Sequence, residues 1–273
     1  LPPAAAASTA GTLALDSDGP RSRILLVEDN VVNQRVASSL LTRRGHRVTV
    51  AQSGPEALEQ LDRESFDLVL MDLQMPVMDG LDTTAEIRRR ERVTGRHVRI
   101  VAMTAHARSS DRERCLAAGM DGYLSKPVDA PMLFAVIEQG SDGGRVPLAA
   151  ARTATFDADA LRHRLSTDPD LMADVIRVFL EDLPVRLAAI HDAVAGRDAR
   201  ALSLAAHTLK GSAANLSAVG LFQAAGVIER IGAESRMDAA EAAWRELSVE
   251  ASNVVDVLRG HSAPAKEPHP CAS

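Results

Sequence analysis

Between Arg23 and Glu138 five short apolar runs alternate with five amphipathic stretches, and after Glu138 the runs stop. The runs are RILLVED, HRVTVAQ, DLVLMD, VRIVAMTA and GYLSKPV. The stretches are Asn33–Arg44, Pro55–Asp62, Asp82–Arg92, Ser110–Ala118 and Ala130–Glu138. Segments such as ILLV, LVLM and IVAM are apolar at every residue rather than at every second one. That pattern suits strands covered on both faces of a parallel sheet. Parallel neighbours cannot be joined by tight turns, so each crossover carries a helix and is right-handed. A doubly wound, five-stranded α/β layer over residues 22–139 is the expected fold.

Residues 140–155, GSDGGRVPLAAARTAT, read as a linker. From 156 to 260 no strand signal appears, and helical periodicity is broken only near Ser166–Pro169, Gly196–Asp198, Ser217–Gly220 and Ala233–Met237. Asp168-Pro169 sets a capping residue before a proline in the first helical turn. Four long helices with short connections predict an antiparallel bundle. Aromatic residues make up only 3% of the chain, so both cores must be built from Leu, Val, Ile, Ala and Met. Residues 1–21 and 261–273, rich in Pro and small residues, read as a disordered arm and tail.

A formal charge of −6, with no basic cluster interleaved with aromatics, argues against direct nucleic-acid binding. Cys115 and Cys271 match no metal or redox spacing, which fits a reducing compartment. No apolar run approaches the roughly 20 residues of a membrane span, and no charged-then-apolar leader opens the chain. A cytoplasmic location without membrane contact is expected. The start at Leu1 rather than Met fits a piece of a longer protein, such as a sensor tethered to the inner membrane.

In an open parallel sheet the chemistry lies outside the carboxyl ends of the strands. Glu28 and Asp29 end the first strand, Asp72 the third, Thr104 the fourth, and Ser125-Lys126-Pro127 the fifth. Three crowded carboxylates need a cation, and hard oxygen donors suit Mg²⁺. Asp72 is the expected nucleophile toward a phosphoryl group, with Lys126 supplying positive charge and Thr104 a hydroxyl. Taken singly, each residue has a plainer reading. An acidic residue at a strand end is usually solvated or a helix cap, Lys126 could be an exposed strand end, and Asn30 is expected to cap the first helix and nothing more. The combination on four strand ends carries the inference. No GxGxxG or phosphate-binding glycine loop is present, so nucleotide binding is not supported.

The stretches ILLVEDN, LVLMDLQMPVMDG, IVAMTAHA and AGMDGYLSKPV resemble the receiver domain of two-component response regulators. The resemblance implies the sheet order 2-1-3-4-5 and a phosphoryl group accepted by Asp72. It implies Mg²⁺ held by Glu28, Asp29, Asp72 and the backbone carbonyl of Gln74, with Lys126 bridging to phosphoryl oxygens. Thr104 and Tyr123 would be the switch pair. Relatives commonly read TANA where this chain reads TAHA, so His106 with Gln74 is expected to tune the lifetime of the phosphoryl group. A histidine there makes that lifetime pH-dependent, against the plain reading of an exposed spectator.

Residues 207–215 read HTLKGSAAN. Leu202, Ala206, Leu209, Ala213 and Leu216 form a helical stripe, and at about 100° per residue His207 lies roughly 140° from Leu202. His207 is expected on the exposed face, flanked by Lys210 and by Gly211. An exposed histidine is most often an ordinary polar residue. Metal binding lacks a Cys, Asp, Glu or second His three or four residues away. Phosphoryl carriage fits better, because a neutral imidazole is nucleophilic, Lys210 attracts phosphoryl oxygens and Gly211 removes bulk before a docking partner. AAHTLKGSAANLSAVGL resembles the histidine phosphotransfer (HPt) family, which implies a four-helix bundle over residues 156–260. It implies phosphorylation of His207 and a supporting surface of Lys210, Gly211 and Ser212.

Together these readings predict a phosphorelay module from the C-terminal part of a hybrid sensor histidine kinase. Its expected partners are an upstream histidine kinase domain, of the same parent chain or another, and a downstream response regulator receiver. The alternative is a signalling interaction module gated by phosphorylation, without transfer to His207. A metal-dependent phosphatase is disfavoured because no cleft for outside substrates is expected.

Overall fold

The computed structural model describes residues 21–104, 109–139, 156–165 and 168–262. The first twenty residues, the linker 140–155, the tail beyond 262 and His106 lie outside them. Strands β1 (Arg23–Val27), β2 (Arg47–Ala51), β3 (Leu68–Asp72), β4 (Arg99–Thr104) and β5 (Gly122–Ser125) form one parallel sheet in the order β2-β1-β3-β4-β5. Helices α1 (Val31–Arg43), α2 (Gly54–Arg63), α3 (Gly80–Thr94), α4 (Ser109–Ala117) and α5 (Ala130–Gln139) supply the crossovers.

Successive strand residues go to opposite faces, and both faces are covered. Leu25, Val27, Val69, Met71, Ile100 and Ala102 pack with Ala57 and Leu58 of α2 and Ile87 of α3. Ile24, Leu26, Leu68, Leu70, Val101 and Met103 pack with Val32, Val36 and Leu40 of α1 and with Leu133 and Val136 of α5. That double burial is why the runs are continuously apolar. The chain leaves β1 toward β2 on one side and reaches β3 on the other, which opens a crevice at the carboxyl ends of β1 and β3.

Beyond the linker come α6 (Ala158–Arg164), α7 (Pro169–Ala195), α8 (Ala199–Asn215), α9 (Val219–Ala233), a 3-10 turn at Met237–Ala239 and α10 (Ala240–Ser262). The four long helices fall where the breaks predict them, and α6 is an added short helix. Asp168 accepts a hydrogen bond from Leu171 N to cap α7, and Asp198 caps α8 through Ala201 N. The stripe Leu202, Ala206, Leu209, Ala213 and Leu216 is fully buried. Arg164 of α6 donates to the carbonyls of Ala214 (2.7 Å) and Asn215 (2.9 Å) and to Ser217 Oγ, satisfying the last turn of α8. Burial brings the Arg164 guanidinium down to about 10, against the opposing charges of Asp129 and Asp157. Trp244 of α10 meets His191 of α7, with ring centroids 5.4 Å apart.

The two units pack on one another. The α1 and α5 side of the sheet and the interior of the bundle belong to one cluster of buried apolar side chains. Along α1, Arg35 pairs with Asp174 and Arg43 with Asp168, both acids lying in the first turns of α7 or at its cap.

Candidate functional site

The crevice holds the expected cluster. Carboxylate oxygens of Glu28, Asp29 and Asp72 lie within 4.8 Å of one another. Lys126 Nζ reaches Glu28 Oε2 at 2.7 Å and Asp72 Oδ2 at 2.8 Å. Glu28, Asp72 and the lysine side chain are almost fully buried. Burial pushes Glu28 up to about 8; Asp72's charge adds to that, while Lys126 and a hydrogen bond from Asn33 oppose it. Burial and Asp72 also raise Asp29, opposed by the charges of Lys126 and of Arg186 from α7. Burial alone would lower Lys126, but Asp72 and Glu28 outweigh it and hold it above the usual lysine value.

Three crowded carboxylates, two of them buried, against one lysine leave an excess of negative charge, and every donor is a hard oxygen. The residues present fit a divalent cation of the Mg²⁺ type. The Gln74 backbone N–H donates to Asp72 Oδ1 at 3.3 Å, which helps orient the carboxylate, and the Gln74 side chain is exposed beside it. Thr104 is buried at the end of β4, its carbonyl accepting from Lys126 N at 2.7 Å. Tyr123 on β5 packs at the edge of the α2–α3 side of the core. Gly80 is required by close approach: a Cβ there would lie 2.2 Å from the Asp72 carbonyl oxygen and 2.9 Å from Leu73 Cα.

His207 departs from expectation. Its side chain keeps only 13% of its accessible surface, because Glu229 of α9 covers it, with Nδ1 2.6 Å from Glu229 Oε1. Lys210 is also not a free flanking cation; it is buried and pairs with the other oxygen of Glu229. Burial alone would raise Glu229, but the hydrogen bonds from His207 and Lys210 outweigh it and take the carboxyl down to about 2. An ionised carboxylate only accepts hydrogen bonds, so Nδ1 carries a proton, and in the neutral ring that leaves the lone pair on Nε2. Glu229 lies 22 residues from His207 on another helix, where no local spacing rule could find it.

Asn30 does cap α1, accepting from Val32 N and Asn33 N. It does more than the expected cap, because its Nδ2 donates to Thr208 O (2.8 Å) and to Ser212 Oγ (2.7 Å) of α8. Three residues on, Asn33 accepts from Asn215 Nδ2 at 2.6 Å and donates to Glu28 Oε1 at 2.9 Å. Asn215 Oδ1 accepts from Val128 N, at 3.2 Å, just past Lys126-Pro127. Gly211 leaves room for this approach, since a Cβ there would lie 3.3 Å from Asn33 Nδ2. The residue after Asp29 is thus hydrogen-bonded to the residue after His207.

Residues 24–138 match the response regulator receiver domain family, and residues 174–258 match the Hpt domain family. The sensor histidine kinase GacS of Pseudomonas protegens is 34% identical over 209 residues, covering 72% of this chain and 23% of that protein. The aerobic respiration control sensor protein ArcB of Escherichia coli is 33% identical over 210 residues, covering 72% of this chain and 26% of its own length. The chain therefore spans about a quarter of these curated relatives. Among solved structures, the receiver domain of a sensor histidine kinase from Pseudomonas aeruginosa, with a magnesium ion coordinated in the active site cleft, is 44% identical. The match covers 45% of this chain and all of that one, with a TM-score of 0.41.

Proposed function

Because the chain carries a response regulator receiver domain followed by an Hpt domain, we propose that it is a phosphorelay module that accepts a phosphoryl group on Asp72 and relays it through His207. One observation carries this reading: Asn30, beside Asp29 of the acidic pocket, is hydrogen-bonded to Thr208, beside His207. That contact joins the segment bearing the acidic pocket to the helix bearing His207.

In this reading Asp72 attacks phosphorus, with Gln74 N orienting its carboxylate and Lys126 drawing the phosphoryl oxygens. A Mg²⁺ ion bound by Glu28, Asp29, Asp72 and the Gln74 carbonyl supplies charge neutralisation that one lysine cannot. Thr104 and Tyr123 act as the switch pair, the hydroxyl following the phosphoryl group and the ring following the hydroxyl. Gln74 stands beside Asp72 and, with His106, governs access of hydrolytic water. The Glu229 carboxylate holds the His207 ring by Nδ1, so Nε2 attacks and later releases phosphorus. Lys210 and Gly211 and Ser212 support docking. The donor is a histidine kinase phosphohistidine, and the final acceptor is a downstream receiver. No helix among the described residues is long and apolar enough to cross a membrane.

The test is to incubate the chain with a phosphorylated kinase and Mg²⁺, then map base-labile acyl phosphate and acid-labile phosphohistidine by residue. The reading expects the first on Asp72 and the second on His207. Phosphate on Asp72 with none ever on His207 would leave the gated interaction module in its place.

A further inference from the structure

We propose that transfer between Asp72 and His207 runs within one chain, through an amide clamp in which Asn30 and Asn33 of the receiver hold Ser212 and Asn215 of α8. This rests on the relay reading and adds which bundle serves which receiver. The two pairs have matched spacing: Asn30 and Asn33 are three apart at the start of α1, and Ser212 and Asn215 are three apart at the end of α8. One helical turn on each side faces one turn on the other. All four side chains are buried, none more than 4% exposed. Asn30 reaches Ser212 Oγ at 2.7 Å and Thr208 O at 2.8 Å, and Asn215 reaches Asn33 Oδ1 at 2.6 Å. The clamp is anchored in the pocket itself, because Asn33 also donates to Glu28 Oε1 and Asn215 accepts from Val128 N beside Lys126-Pro127.

Two further features extend the fit. The basic side chains of α1, Arg35 and Arg43, meet the acidic start of α7 at Asp174 and Asp168. Arg186 of α7 also lies close enough for its charge to act on Asp29. Residues 140–155 tether the two partners, and a short tether gives an effective concentration of about a millimolar. At micromolar chain, transfer within the chain outpaces transfer between chains by about 10²-fold or more.

The step balances on the groups present. The Nε2 lone pair forms the bond to phosphorus as the bond from phosphorus to the Asp72 oxygen breaks. That electron pair returns to Asp72 as free carboxylate. The Nδ1 proton stays between the ring and Glu229, and nothing is oxidised or reduced. The clamp covers the face of α8 that any outside receiver must use, so the units must separate between arrival of phosphate from the kinase and its departure downstream.

The full chain is phosphorylated with acetyl phosphate and Mg²⁺, and phosphohistidine is followed with time. The wild-type rate is expected to stay constant over a hundredfold dilution. An equimolar mixture of Asp72→Asn and His207→Gln chains is expected to form phospho-His207 at least tenfold more slowly than wild type. Arg35→Asp and Asp174→Arg should each slow transfer several-fold without changing Asp72 labelling, and the double exchange should restore it. A rate that falls in proportion to dilution, or a mixture that matches wild type, overturns transfer within the chain while leaving the relay intact. Absence of phospho-His207 from wild type in every donor condition overturns the relay reading, and this proposal with it.

Discussion

His207 Nδ1 and Glu229 Oε1 lie 2.6 Å apart and join α8 to α9. The contact fixes both the ring and its tautomer. Glu229→Ala should slow formation of phospho-His207 by tenfold or more, about 1.4 kcal/mol in the barrier. Glu229→Gln should retain most of the rate, because its amide oxygen can still accept from Nδ1. Rapid-quench time courses from phospho-Asp72 distinguish the two; equal rates for Ala and wild type would remove the positioning role.

The same carboxylate sets an acid dependence. Its folded value near 2 lies below its ordinary value of 4.5, so its contribution to stability is complete above about 4.5. It is lost as pH falls from there through 2. Urea melts between pH 5 and 2.5 should show wild type losing more stability than Glu229→Gln over that window. Parallel curves would mean that the pairing with His207 and Lys210 adds nothing to folding.

Asp72→Asn is nearly isosteric and should abolish labelling of the receiver while leaving the circular dichroism spectrum unchanged. Chelation of Mg²⁺ should also stop labelling of wild type, through loss of charge neutralisation. Label that persists on the Asn variant, without metal, places the acceptor elsewhere.

Gly80→Ala tests the packing beneath that acceptor. With the new Cβ 2.2 Å from the Asp72 carbonyl oxygen, α3 or the end of β3 must shift. The receiver should lose about 1–3 kcal/mol in denaturant unfolding, the usual cost of overpacking. An unchanged midpoint would mean that α3 slides freely on the sheet.

Gly211→Gln separates helix stability from docking. A side chain favours a mid-helix position over glycine by roughly 1 kcal/mol, so α8 should be as stable as before. Its Cβ alone would lie 3.3 Å from Asn33 Nδ2, and the rest of the glutamine has to push α1 away. Transfer to His207 should slow by tenfold or more, with Gly211→Ala between the two. Wild-type transfer in the Gln variant would exclude close approach as the reason for glycine.

The five strands, the four long helices and the residues of the acidic pocket were legible because each depends on local pattern or on strand ends, which topology brings together. Glu229, Asn33 and Asn215 were not. Each acts on a partner from another helix, and an asparagine or glutamate on an amphipathic helix has the same pattern whether it faces water or a second domain. The exposure expected for His207 failed for the same reason. Its angular position was read correctly against the buried stripe, but nothing in α8 alone encodes that α9 lays a carboxylate over it.

The pairing of Trp244 with His191 gives the molecule a built-in optical tag. The chain has one tryptophan and one tyrosine; the first lies between α7 and α10 and the second, Tyr123, on β5. Light at the red edge of the indole band excites the bundle alone, and a protonated imidazole in ring contact quenches indole emission. Emission excited there is therefore a record of the bundle by itself, read without any label.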